Sequence, residues 1–155
     1  MNAKFMREAI RLSIEMMRCG QGGPFGAVVV RKNKIVGRGC NQVTSTNDPT
    51  AHAEIVAIRD ACRHLKSFQL DDCDLYTSCE PCPMCLSAIY WARICRIFYG
   101  NTRKDAANIA FDDEFIYREV ALPIRKRKIP MKQLLRKEAL NAFVEWKHKV
   151  DKVLY

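Results

Sequence analysis

The chain has 155 residues, room for one domain, with 48% apolar residues, enough to bury a core, which excludes a disordered chain. No apolar run approaches the length of a bilayer span. A net charge of +9, from 26 Lys and Arg against 17 Asp and Glu, favours anionic partners, nucleic acid included.

The start, Met1 to Glu8, carries mixed charge and lacks the apolar stretch of a signal peptide, so a cytoplasmic location is expected. Residues 3–18 read as an amphipathic helix, with Phe5, Ala9, Leu12 and Met16 at helical spacing. Gly20 to Pro24 then breaks the chain. Phe25 to Val30 and Lys34 to Gly39 read as two strands of a hairpin. Asn41 to Asp48 is polar and turn-like. Pro49 or Thr50 marks a helix start, and residues 52–64 carry a helical apolar pattern. Asp74 to Thr77 is a short strand. Pro81 and Pro83 fall where a helix begins, and that helix runs to Trp91. Ile94 to Tyr99 is the next strand, closed by Gly100.

Past residue 100 the pattern weakens. Phe111 to Tyr117 mixes acids with aromatics and has no clean period. Residues 129–135 fit either a fifth strand or the start of a helix. Residues 138–152 read as a last helix, with Leu140, Phe143, Val144 and Val150 on or near one face. The element order predicts an α/β layered fold with helices packed on a central sheet.

Eight cysteines are many for a chain that keeps its thiols reduced. Three of them crowd into Cys79, Cys82 and Cys85, and metal binding explains that cluster. Cys82 and Cys85 are i and i+3 at a helix start, so both sulfurs can reach one point, where exposed N–H groups favour thiolate. His52 opens another helix. One imidazole and two thiolates leave a tetrahedral zinc position open, the mark of a catalytic rather than a structural site. Zinc lowers the pKa of a bound water towards about 7. Glu54, two residues past His52, is placed to move that water's proton. This H-x-E…P-C-x-x-C order is the signature of zinc-dependent nucleobase deaminases.

Other readings of the same residues are weaker. An iron–sulfur run lacks a fourth Cys at the required distance. A dithiol redox pair leaves His52 and Glu54 without a task. A closed structural zinc site could take Cys79 as fourth ligand, but then Glu54 serves nothing. Cys79 is read as a neighbour of the ligands or a buried thiol. His64 and His148 are lone histidines, read as surface or core residues.

The stretch 47–54 resembles one shared by guanine deaminases and tRNA adenosine deaminases of the cytidine/deoxycytidylate deaminase superfamily, and 77–85, followed by Ala88 to Arg93, is more similar to the guanine deaminases of bacterial type. So are Gly22 to Ala27, and residues 105–107 through 111–117. The resemblance implies a three-layer α/β/α fold, with a mixed sheet of about five strands in a single domain spanning residues 1–155. It implies a Zn²⁺ hydrolase converting guanine and water to xanthine and ammonia, with a tRNA adenosine deaminase forming inosine as the alternative. It implies His52, Cys82 and Cys85 as metal ligands and Glu54 as catalyst. Asn41, Asp113, Phe25, Ala53 and Tyr155 would contact a purine base. A homodimer is implied in which C-terminal segments carrying Trp146 and Tyr155 exchange between subunits. Sequence physics alone gives only an apolar face on the last helix. The basic block Arg125 to Lys128 departs from the family pattern and favours nucleic-acid contact more than the rest of the chain does.

Overall fold

A computed structural model describes residues 2–154. Helix α1 spans Ala3–Arg18 and starts where the Asn2 side chain accepts a hydrogen bond from the Lys4 N–H at 3.0 Å. Strands β1 (Gly26–Arg31) and β2 (Lys34–Cys40) form the expected hairpin. A short helix α2 (Val43–Thr46) stands in the segment expected to be a turn. Then come α3 (Ala53–Leu65), β3 (Cys73–Cys79), α4 (Pro83–Trp91) and β4 (Arg96–Asn101). Helices α5 (Arg103–Ala107), α6 (Glu114–Ala121) and α7 (Arg136–His148) follow, with a 3-10 turn at Ile124–Lys126.

The sheet has four strands in the order β2-β1-β3-β4. β1 pairs antiparallel with β2 and β3, and β3 pairs parallel with β4. The expected count of about five strands is therefore one too many. Residues 129–135 are neither strand nor helix. Pro130 has no N–H to give a ladder, and Leu135 takes a left-handed backbone just before α7.

Five of the six residues of β1 are buried, as a strand covered on both faces requires. Its side chains alternate between two cores. Val28 and Val30 pack with Phe5, Leu12 and Tyr76 beneath α1. Ala27 and Val29 pack with Ala57, Ala61, Leu75 and Ile89 beneath α3 and α4. The α/β/α layering thus follows from two apolar faces of one sheet. Gly39 lets α3 lie close on β2, because a Cβ there would stand 2.1 Å from the Ala53 carbonyl oxygen.

This topology gathers one end of the sheet. Phe25 precedes β1, Asn41 follows β2, and the turn to Cys82 leaves β3 at that same end. Ligands of open α/β sheets bind outside the carboxyl ends of parallel strands, the end from which β3 and β4 emerge here.

The chain divides into two compact units, residues 1–113 and 114–155. The first holds the whole sheet and both cores. In the second, which contains α6 and α7, none of the described residues is buried.

Candidate metal centre and active site

His52 is the N-cap residue of α3, and Cys82 is the N-cap of α4, followed by Pro83 in the first turn. Proline is suited there because its missing N–H would find no partner in the helix anyway. Cys85 lies one turn on and is fully buried. The His52 Nδ1 atom is 3.6 Å from Cys82 Sγ and 3.5 Å from Cys85 Sγ. All three donor atoms lie within 4.8 Å of one another, and they are the only such group of three His, Cys, Asp or Glu residues among those described. Tetrahedral zinc, with bonds of about 2.0 Å to nitrogen and 2.3 Å to sulfur, separates such atoms by roughly 3.5 Å. The donor set and its spacing therefore fit zinc.

The electrostatics suit a cation. The Cys82 thiol is lowered to about 4 by hydrogen bonds from the Cys85 thiol and from His52, against the opposing effect of burial. Its negative charge, with burial, pushes the Cys85 thiol up. His52 is raised chiefly by its hydrogen bond to Cys82. The N-terminus of α4 favours the thiolate form of a cysteine placed there, the form that binds a metal.

Glu54 is buried, and its carboxyl is raised, first by burial. The Thr77 hydroxyl, itself buried, donates to Glu54 Oε1 at 3.3 Å. Thr77 was not singled out by the sequence reading, yet its signal is there. Cys73, Leu75, Thr77 and Cys79 alternate onto one face of β3, and only Thr77 brings a hydroxyl to that otherwise apolar or thiol-bearing row.

Asn41 is buried, and its Oδ1 accepts from the N–H groups of Gly23 at 3.2 Å and Val43 at 3.3 Å. Gly22 has to be glycine for this approach, since a Cβ there would stand 2.5 Å from that same oxygen. Phe25 is half-buried and packs on the α3-side core, so part of its role is plainly structural. Its ring meets the edge of Phe111 at 4.9 Å between centroids and 88° between planes. Phe111 is a second residue that the sequence pattern did not mark. Asp113 is half-buried and raised, first by burial and then by the negative charge of Cys82, with Arg103 opposing. Ala53 is fully buried. The remaining candidate, Tyr155, lies outside the described residues.

The rival metal readings find no geometry. The Cys79 thiol turns to the Thr102 carbonyl at 3.6 Å and is pushed up to about 11, chiefly by burial. The Cys95 thiol hydrogen-bonds the Asp71 carbonyl. His64 and His148 stand in the last turns of α3 and α7.

Residues 1–101 match the model of the cytidine and deoxycytidylate deaminase zinc-binding region. The chain belongs to this deaminase family. Its cofactor is Zn²⁺, and the cluster of His52, Cys82 and Cys85 is compatible with it. The chain is 52% identical over 151 residues to guanine deaminase from Bacillus subtilis (strain 168), covering 97% of each. The X-ray structure of guanine deaminase from Bacillus subtilis superimposes with a TM-score of 0.96 at 51% identity, covering 100% of this chain and 99% of that one. A tRNA-specific adenosine deaminase from Buchnera aphidicola subsp. Schizaphis graminum is 39% identical over 110 residues, 71% of this chain and 70% of that protein. No helix among the described residues is long and apolar enough to cross a membrane.

Proposed function

We propose that this zinc-dependent deaminase acts on free guanine, converting guanine and water to xanthine and ammonia. The likeness to a guanine deaminase over 97% of both chains carries this reading, because the match to a tRNA deaminase covers only 71% of this chain.

In this reading His52 Nδ1, Cys82 Sγ and Cys85 Sγ hold Zn²⁺. The ion supplies Lewis acidity that makes water a nucleophile near neutral pH. Glu54 takes the proton from water, returns it to a ring nitrogen, and then delivers a proton to the leaving amine. Burial raises its carboxyl and so favours the protonated form through which a proton carrier passes. Asn41 has its Oδ1 occupied by backbone, which turns its Nδ2 donors to a purine acceptor. Phe25, braced edge-on by Phe111, offers a ring to the flat base. Asp113 contacts the amine side, Ala53 lines the base beside His52, and Tyr155 helps close the partner's pocket.

The same reading makes residues 1–155 one deaminase domain that dimerises by exchanging its C-terminal segment. Trp146 and Phe143 on α7 are exposed, and so are Tyr90 and Trp91 on α4. Exposed aromatics of this size on a helix call for a cover. A cytoplasmic location belongs to the reading too, since thiolate ligands need a reducing compartment.

The test is ammonia release from guanine by zinc-loaded protein. Glu54→Gln should keep its zinc and lose at least about 10²-fold in kcat. Zinc-loaded protein that ignores guanine yet forms inosine in a tRNA anticodon stem-loop would reverse the assignment in favour of the tRNA reading.

A further inference from the structure

Charge in this chain is uneven. Residues 114–155 hold eleven Lys and Arg against five Asp and Glu. Within them, the eighteen residues from Val120 to Lys137 contain seven cations and no acid at all. Arg127 is tied down: its Nε donates to the Leu122 carbonyl at 3.0 Å and its Nη2 to the Val120 carbonyl at 3.3 Å. The other six, Arg125, Lys126, Lys128, Lys132, Arg136 and Lys137, are exposed. None of their side chains pairs with a carboxylate among the described residues. Uncompensated cations this dense repel one another, and an anionic partner relieves that cost.

We infer that residues 120–137 form a phosphate-binding strip that holds RNA to the enzyme outside the deaminating site. The strip contains no aromatic residue on which a base could stack. It therefore grips the backbone without reading sequence. An anionic membrane is the poorer fit. Surface-lying segments are amphipathic helices with one apolar face, whereas residues 127–135 are irregular and Pro123 and Pro130 break the chain on either side of the block. The inference is independent of which base the enzyme deaminates.

The test uses the full-length, zinc-loaded chain and a fluorescent, mixed-sequence 30-nucleotide RNA, followed by anisotropy. Six phosphate contacts give a slope of log K against log salt near −4 for a single strand. Affinity should then fall about 250-fold between 50 and 200 mM salt. A fourfold variant, Arg125→Gln, Lys126→Gln, Lys128→Gln and Lys132→Gln, should flatten the slope to about −1.4. A control carrying Lys4→Gln, Lys32→Gln, Lys34→Gln and Lys66→Gln removes equal charge from the first unit, and should keep its RNA affinity within threefold. Circular dichroism confirms that both variants fold. Equal loss in the two variants would mean bulk charge rather than a strip, and would overturn the inference. So would an unchanged slope in the first variant, or tighter capture by phosphatidylglycerol vesicles than by RNA.

Discussion

At the scale of single residues, the site is a set of buried polar groups each held by a neighbour. Thr77 is the clearest case. Its hydroxyl is the hydrogen-bond donor seen at Glu54 Oε1, at 3.3 Å in a buried setting. Thr77→Val keeps the shape and removes the donor. A lost hydrogen bond to a charged group is worth about 1.5 kcal/mol, roughly tenfold in rate. We expect kcat to fall by about that factor, with KM and zinc content unchanged and Thr77→Ser restoring the rate. A rise in KM alone would assign Thr77 to packing instead. The four residues His52, Glu54, Cys82 and Cys85 were legible in the sequence because their chemistry depends on short spacings within two helix starts. Thr77 and Phe111 were not, because each matters only through a partner more than twenty residues away, Glu54 and Phe25. Spacing along the chain carries no sign of such pairs.

At the scale of elements, close packing fixes where the site's residues sit. α3 rests on β2 through Gly39, and an added methyl there would meet the backbone of Ala53 and Ala57 at 2.1 and 2.4 Å. Gly39→Ala should cost about 1–3 kcal/mol, as overpacking does. It should also lower kcat, since α3 must move and takes His52 and Glu54 with it. Thermal melts and turnover measured together check both effects. On the other face, Glu8 of α1 bridges Arg11 and, at 3.1 Å, Arg38 of β2. These guanidinium groups hold the Glu8 carboxyl down at about 2, with the hydrogen bond from Arg11 the largest cause. A carboxyl lowered on folding stabilises above its unfolded pKa of about 4.5, and that gain disappears as pH falls towards 2. Both arginines are half-exposed, so water screens the pair to about 1 kcal/mol. Glu8→Gln should therefore melt earlier than the parent at pH 7 and together with it near pH 2. The regular elements of the first unit were readable from their apolar periods. Helix α5 was missed although Thr102 and Asp105 form a reciprocal capping box, a signal present in the sequence. Residues 129–135 misled in the other direction: apolar content suggested a strand, and proline withheld the ladder.

At the scale of the whole molecule, the metal and the second unit set the behaviour. An ion held by α3 and α4 binds the folded chain alone and so stabilises it, by about 2.7 kcal/mol at a free concentration 100 times Kd. For a chain this size that is about 5–10 °C in Tm. Chelation should lower Tm by that amount, and added Zn²⁺ should restore it. An unchanged Tm would contradict the metal assignment. The second unit leaves Leu134, Phe143 and Val150 exposed and buries none of its described residues. Light scattering should accordingly report a mass near twice 17.8 kDa. Trp146→Glu should shift that mass towards the monomer. The unit's apolar residues were visible in the sequence, but the period of one helix carries no trace of what covers it, and the exchange of C-terminal segments came from resemblance alone.

Ala53 sits between a proposed ligand and a proposed proton carrier, locked against a strand that tolerates no side chain opposite it. One residue of helix turns the chain by about 100°. An insertion or deletion between positions 52 and 54 would thus swing the carboxylate away from the imidazole's side, and no slide along β2 could bring it back. The spacing of this tripeptide is thus fixed by the packing of α3 on β2, and not by the loop that precedes it.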